Sequence, residues 1–264
     1  MSDSATQTQL EHAPGSFCWI ELATTDGPGA KKFYSELFGW EAQDNPVGPD
    51  MVYTMLSLNG KHVGALYQKG EQMKQVPTHW ASYISVTSAD ETAAKTKALG
   101  GTVVQEPFDV MDVGRMAALS DPTGAVVYFW QAKRHIGAGL VNVPGTLTWN
   151  ELATRDPEGA ERFWSELLGW RFEQISQEPA YWVVWNGERT NGGMRVLGDE
   201  LPDHPAHWMA YFGVESIDAT AATATEAGGA VHVPKTPVWE QSFFAVLGDP
   251  VGAAFAVFEG RFDD

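Results

Sequence analysis

Two glutamates carry the sharpest chemical signal in the chain. Glu21 and Glu151 each sit two residues after a tryptophan in a repeated W-x-E-L-A-T segment, Trp19 to Thr24 and Trp149 to Thr154. In an extended strand, side chains two apart share a face, so Trp19, Glu21 and Ala23 point the same way. A carboxyl turned inward beside an indole loses hydration, and its pKa rises toward the range of a general acid or base. A structural carboxylate bonded to backbone amides or to an arginine uses the same placement. His79 and His207 open a second repeated segment, H-W-x-x-Y. Alternation places His79 with Ala81, Tyr83 and Ser85, at the rim of the same face. An imidazole there is either an acid–base partner for the glutamate or a rim histidine bonded to a loop carbonyl.

Aromatic residues surround these candidates. Trp19, Tyr53, Tyr83, Tyr128 and Trp130 are expected to line one cleft. Trp149, Tyr181, Trp185, Tyr211 and Phe258 are expected to line a second. Such walls suit a flat, apolar small molecule, or they are simple packing, as is expected for Trp40 and Trp170. Arg115 and Arg195 are strand cations able to hold a ligand carboxylate or to pair with Glu21 or Glu151. His12, His62, His135, His204 and His232 have no copy elsewhere and read as surface or loop residues. His62 is expected to face away from Ala65.

Composition narrows the function classes. The 264 residues include 34 acidic and 17 basic side chains, a formal charge of −17. A surface this acidic repels a phosphate backbone and an anionic membrane, so neither nucleic acid nor membrane is an expected partner. The opening MSDSATQTQLEHA lacks the apolar stretch of a signal peptide and reads as a polar tail. One cysteine, Cys18, excludes an intrachain disulfide and a cysteine-built zinc site, and fits a reducing, cytoplasmic setting. No Gly-x-Gly-x-x-Gly, phosphate loop or Gly-x-Ser-x-Gly is present.

The elements that position these residues come from duplication. CWIELATTDGPGAKKFYSELFGW, from Cys18, returns from Thr148 at an offset of 130, with 14 of 23 positions identical. The block beginning at His79 returns at His207, and the Asp121-Pro122-Thr123-Gly124 turn returns as Asp249-Pro250-Val251-Gly252. Within each copy, a strand around Trp19–Ala23 leads to a helix. Asp26 supplies its N-cap, Ala30, Phe33, Tyr34, Leu37 and Phe38 form its apolar stripe, and Gly39 closes it. Three strand-like runs follow, and from Trp80 the order begins again, with a helix at Asp90–Leu99 and three more strands. The expected fold is α+β: tandem domains, each of two βαβββ units forming a curled mixed sheet with a cleft. The expected boundaries are a polar tail at 1–13, domain 1 at 14–133, a Gly-rich linker at 134–143 and domain 2 at 144–262.

These features resemble the vicinal oxygen chelate superfamily of glyoxalase I, bleomycin-resistance proteins and extradiol dioxygenases. The resemblance rests on Phe33 to Trp40, on Gly100-Gly101, on the Asp121 turn and on their copies. The W-x-E-L opening is similar to a tandem glyoxalase-like branch. In catalytic members, the first and fourth strands of each unit bring His, Gln or Glu to one divalent metal. Counting from shared landmarks, those positions fall on Trp19 (or Cys18), Ala65, Ala81 and Tyr128, and in the second half on Trp149, Met194, Met209 and Ala256. Trp, Ala and Met offer no ligand atom for a borderline ion, and Tyr is a poor substitute. No cofactor is therefore expected. The resemblance implies a cytoplasmic small-molecule binder, monomeric or homodimeric, with metal-independent chemistry at Glu21 or Glu151 assisted by His79 or His207. Two alternatives stay open: a metal-dependent lyase or dioxygenase with ligands displaced to Glu21 and His79, and non-catalytic sequestration of a drug or metabolite.

Overall fold

The computed structural model describes residues 9–49, 51–198, 203–239 and 241–261. The first eight residues of the polar tail and the last residue assigned to domain 2 lie outside that range. In the first half the order is β1 (Phe17–Thr24), α1 (Gly27–Phe38), β2 (Glu41–Gly48), β3 (Met51–Leu58) and β4 (Lys61–Gln68). It continues with β5 (His79–Ser85), α2 (Ala89–Ala98), β6 (Thr102–Val110), β7 (Gly114–Ser120) and β8 (Val126–Ala132). The second half repeats it as β9 (Leu147–Thr154), α3 (Pro157–Leu168), β10 (Arg171–Gln177), β11 (Ala180–Asn186) and β12 (Arg189–Val196). Then come β13 (His207–Gly213), α4 (Ile217–Glu226), β14 (Ala230–Trp239), β15 (Ser242–Gly248) and β16 (Ala254–Glu259).

Each half forms one eight-stranded mixed sheet, β2-β3-β4-β1-β5-β8-β7-β6 and β10-β11-β12-β9-β13-β16-β15-β14. The first strands of the two βαβββ units pair antiparallel at the centre of each sheet, and each first strand pairs parallel with the last strand of its own unit. Local chemistry fixes the helix ends. Asp26 and Asp156 accept from the amides of Gly29 and Gly159, and Gly39 and Gly169 take the left-handed conformation at φ 71° and 76° that ends α1 and α3.

One sheet face is concave and carries the candidate site. The helices cover the other, and there the two domains share a single core. Tyr34, Phe38, Trp40, Trp80, Phe212 and Phe255 meet edge-on or stacked across the boundary, as do Phe17, Trp164, Trp170 and Trp208. The polar contacts are reciprocal. Tyr34 Oη donates to Asp249 Oδ2 at 3.2 Å, and Trp164 Nε1 donates to Asp121 Oδ2 at 3.1 Å. Trp40 Nε1 donates to Gly145 O, and Trp170 Nε1 to Gly15 O, at 2.7 and 2.9 Å. The symmetry breaks at one atom. Tyr34 Oη also accepts from Trp80 Nε1 at 3.0 Å, but Trp164 offers no acceptor, and Trp208 Nε1 is left buried without a partner.

The Gly-rich linker is not a loose tether. Ala138 N donates to Cys18 O at 2.7 Å and Gly139 N to His62 O at 2.8 Å, and Ala138 and Leu140 are fully buried. At Gly137, φ is 108° and a Cβ would stand 2.3 Å from Cys18 O, so only glycine passes this point. His12 and His135, expected at the surface or in loops, lie in loops, are half-buried and clamp this strap. His12 Nε2 donates to Ala138 O at 2.8 Å. His135 Nδ1 accepts from Gly137 N at 3.2 Å, its carbonyl accepts from Trp130 Nε1 at 2.7 Å, and its ring meets Trp19 edge-on and stacks on His62. The sequence pattern carries no trace of this cluster because the three histidines are unrepeated and far apart in the chain.

Two outcomes follow from these contacts. Replacing Tyr34 with Phe leaves Trp80 Nε1 without its acceptor and Asp249 Oδ2 without its donor, and should lower unfolding free energy by about 2 kcal/mol in chemical denaturation. The Gly137-to-His135 bond needs an unprotonated Nδ1, and burial beside His62 and His12 pushes the His135 pKa down to about 4. The unfolded chain therefore takes up this proton first, and stability should fall as pH drops from 6.5 toward 4 by about 2–3 kcal/mol. His135→Asn should flatten that part of the stability–pH curve.

Candidate functional site

The concave face of domain 1 is built in rows across β4, β1 and β5. Glu21 lies between Ala65 and Ala81, and one step toward the rim Ala23 lies between Tyr67 and His79. One step the other way Trp19 is opposite Tyr83, which continues to Tyr128 on β8. With methyl side chains on both flanks, the Glu21 carboxyl is open to neighbouring phenols. Tyr53 Oη donates to Glu21 Oε2 at 2.7 Å and Tyr83 Oη to Oε1 at 3.2 Å, and Trp19 Nε1 reaches Tyr53 Oη at 3.4 Å. Tyr83 and Tyr128 stack with ring centroids 4.9 Å apart. Trp130, Met55, Met116, Val110 and Val113 complete an apolar surround.

No basic side chain among the described residues pairs with Glu21. Loss of hydration raises its pKa, and the two phenol hydrogen bonds oppose that rise only in part. The phenols of Tyr53 and Tyr83 are in turn pushed well above their ordinary range, first by burial and then by the nearby carboxylate. Glu21 keeps a strip of accessible surface.

Domain 2 repeats the rows with different chemistry. Glu151 is 7% exposed and lies between Gly193 and Met209, and Ala153 lies between Arg195 and His207. Tyr181 and Tyr211 both hydrogen-bond the Glu151 carboxyl, and Trp149 Nε1 donates to Tyr181 Oη at 3.2 Å. A Cβ on Gly193 would stand 2.0 Å from Tyr181 Oη, so glycine makes room for that phenol. Arg195 Nε donates to Glu151 Oε1 at 3.0 Å. Across the duplication Arg195 takes the place of Tyr67. Burial still raises the Glu151 pKa, while the guanidinium pulls it back.

The histidines stand at the rims. His79 Nδ1 donates to Pro77 O and His207 Nδ1 to Pro205 O, both at 2.9 Å, which leaves each Nε2 with a lone pair. Burial lowers both pKa values, and neither imidazole bonds to its glutamate. Trp185 lies farther out, under the guanidinium of Arg171 at 4.8 Å, and Phe258 is half-buried on β16 opposite Phe244.

Two expectations need correction. Arg115 is outside the cleft: alternation along β7 turns it to the helix side, where Nε and Nη2 grip Asp90 of α2 at 2.7 and 2.8 Å. Met194 is fully buried in the helix-side core, and the residue opposite Glu151 is Gly193, because the count from landmarks slipped by one and a one-residue slip reverses the face. Tyr67 was overlooked. Its signal was alternation with Ala65 and its correspondence to Arg195.

The positions that bear metal ligands in catalytic relatives of this architecture hold Trp19, Ala65, Ala81 and Tyr128 in one cleft, and Trp149, Gly193, Met209 and Ala256 in the other. The glutamates beside them are bonded by phenols or by Arg195. Among the described residues no group of three or more His, Cys, Asp or Glu side chains is arranged to hold a metal ion.

Duplicated βαβββ units, their central pairing and the paired concave faces define a tandem glyoxalase-type protein. Residues 16–129 match the Glyoxalase/Bleomycin resistance protein/Dioxygenase superfamily and residues 149–258 match a glyoxalase-like domain, and the chain belongs to this superfamily. It is 43% identical over 251 residues to "Putative glyoxylase CFP32" of Mycobacterium tuberculosis, covering 94% of this chain and 95% of that one. It is 34% identical to the anthracycline biosynthesis protein DauV of Streptomyces sp. strain C5, covering 94% of each. The Mn(II)-bound glyoxalase from Novosphingobium aromaticivorans shares the fold, with a TM-score of 0.66 and 16% identity over 95% of this chain and 85% of that one. The 2,3-dioxygenase LapB from Pseudomonas sp. KL28 does so with a TM-score of 0.65 and 14% identity, over 98% and 94%. No helix among the described residues is long and apolar enough to cross a membrane.

A raised Glu21 pKa means the folded state holds this proton more tightly than the unfolded chain. Its contribution to stability is full below the ordinary value of 4.5 and is lost as pH climbs through the raised value. Glu21→Gln keeps the shape and cannot ionise. It should unfold at a higher temperature than the parent above that window, with the two converging at low pH in thermal melts.

Proposed function

We propose that this protein binds a small, flat, apolar or aromatic metabolite on the concave face of domain 1 and that Glu21 is the acid–base group there, acting without a metal. The observation that carries this reading is a carboxyl set in a wall of Trp19, Tyr53, Tyr67, Tyr83 and Tyr128 with no cation to hold it ionised. Burial without a basic partner raises the pKa of a carboxyl and favours its protonated form, whereas a guanidinium partner opposes that rise. The phenols of Tyr53 and Tyr83 fix its two oxygens, and the half-buried rings of Tyr53, Tyr67 and Tyr128 offer aromatic surface for a planar ligand. The 33–34% identity to anthracycline biosynthesis proteins supports a ligand of polycyclic aromatic type. His79, two residues toward the rim, is placed to take part with its Nε2 lone pair.

The test is binding of an anthraquinone followed by quenching of tryptophan fluorescence, with metal content measured on protein purified without chelator. The expected result is saturable quenching with metal well below stoichiometric. Tyr128→Ala should weaken binding by about tenfold, the worth of one aromatic contact. Absence of quenching, or stoichiometric manganese, iron or zinc whose removal abolishes binding, would replace this reading with a metal-dependent one.

A further inference from the structure

The two concave faces are copies in backbone and differ at the rim. In domain 1 the row is Tyr67, Ala23, His79, and in domain 2 it is Arg195, Ala153, His207. Since Arg195 and His207 flank Ala153 on β12 and β13, their Cα atoms are about 10 Å apart, two strand spacings. The residue between them ends in a methyl group, so the two basic side chains face each other across a notch. Arg195 uses Nε on Glu151, and its other contact among the described residues is a weak one, Nη1 to Val196 O at 3.5 Å. Its side chain is one-third exposed, which puts the outer edge of the guanidinium fork at the notch.

More basic groups gather here than at the matching rim. His204 stands with its ring 5.6 Å from that of His207, and Arg155 Nη1 donates to His204 O. In domain 1 the corresponding residues are Val76 for His204 and Thr25 for Arg155, and Lys69 is the one cation beside His79. Of these groups, Arg195 is the one whose guanidinium reaches the concave face, through its bond to Glu151. Below the notch lie Trp149, Tyr181 and Tyr211, an aromatic wall like that of domain 1. The fork of an arginine matches a carboxylate, and the wall matches a ring.

We infer that the concave face of domain 2 is a second, distinct site that takes a small aromatic carboxylate, its ring on Trp149 and Tyr181 and its carboxylate on the outer edge of Arg195. This rests on reading the concave faces as ligand sites, and it assigns the two faces different ligands, neutral in domain 1 and anionic in domain 2. The choice is made at one position, tyrosine in the first copy and arginine in the second. Glu151 keeps Arg195 extended toward the notch, and the incoming carboxylate shares the guanidinium with it.

Each rim histidine reports on its own face. The test is a titration of the full chain with benzoate and with phenol, followed by imidazole carbon-bound proton resonances assigned through His79→Asn and His207→Asn. Benzoate should shift the His207 resonance, with His79 unmoved. It should also raise the His207 pKa, since Arg195 is one of the charges that depress it. Phenol at the same concentrations should leave that pKa unchanged. Arg195→Tyr should weaken the benzoate response by at least about tenfold, the loss of a charge-assisted bond. Tyr67→Arg should create a benzoate response at His79, and it decides the matter if Arg195→Tyr does not fold. A wild-type benzoate response at His79 as large as at His207, a response that survives in Arg195→Tyr, or no gain in Tyr67→Arg overturns the inference. Failure of anthraquinone binding with the His207 response intact removes only the domain 1 reading, and the reverse pattern removes only this one.

Discussion

The structure depends on aromatic N–H and O–H groups that reach across from one domain to the turn of the other. Tyr34 to Asp249 and Trp164 to Asp121 are the same bond made twice, and so are Trp40 to Gly145 and Trp170 to Gly15. Each aspartate also holds its own turn closed through backbone amides, Asp121 to Thr123 and Ala125, Asp249 to Val251 and Ala253. One carboxyl thus sets the approach to a last strand and the seating of the opposite helix. The helix sides of both sheets are consumed by this shared core, and the concave faces lie outside it.

Duplication constrains the two faces and also releases one of them. Both keep a glutamate bonded by two phenols, with a tryptophan behind and a histidine at the rim, because those residues lie on strands whose pairing is fixed by the fold. The cation state differs. Among the described residues Glu21 is bonded by phenols, while Glu151 is also paired with Arg195, which opposes the rise that burial gives its pKa. The strap at 134–141 adds a second asymmetry, since it closes against Trp19 and Trp130 of domain 1 through neutral histidines.

The residue pattern made much of this legible. The W-x-E-L and H-W-x-x-Y repeats place Glu21, Trp19, His79 and Tyr83 on one face by alternation alone, and their copies follow. Asp26 and Gly39 mark the helix ends because a capping oxygen and a left-handed residue are local requirements. Arg115 was misplaced because a single strand's two faces are equivalent until a helix is laid on one of them. Met194 was misplaced because counting through loops carries an error of one residue, and in a strand that error changes the side of the sheet.

What the sequence by itself determined is the duplicated βαβββ architecture and the shared face of the repeated W-x-E-L and H-W-x-x-Y residues, since periodicity, caps and repeats act over a few residues. Only the tertiary structure decided which of those side chains meet. It put Tyr53 and Tyr83 on Glu21, gave Arg195 to Glu151 and Arg115 to Asp90, and brought His12, His62 and His135 together around the linker. Those contacts join strands and loops separated by tens to more than a hundred residues, and their consequence, a glutamate without a cation in one domain and with one in the other, is set by burial and partners that no local pattern encodes.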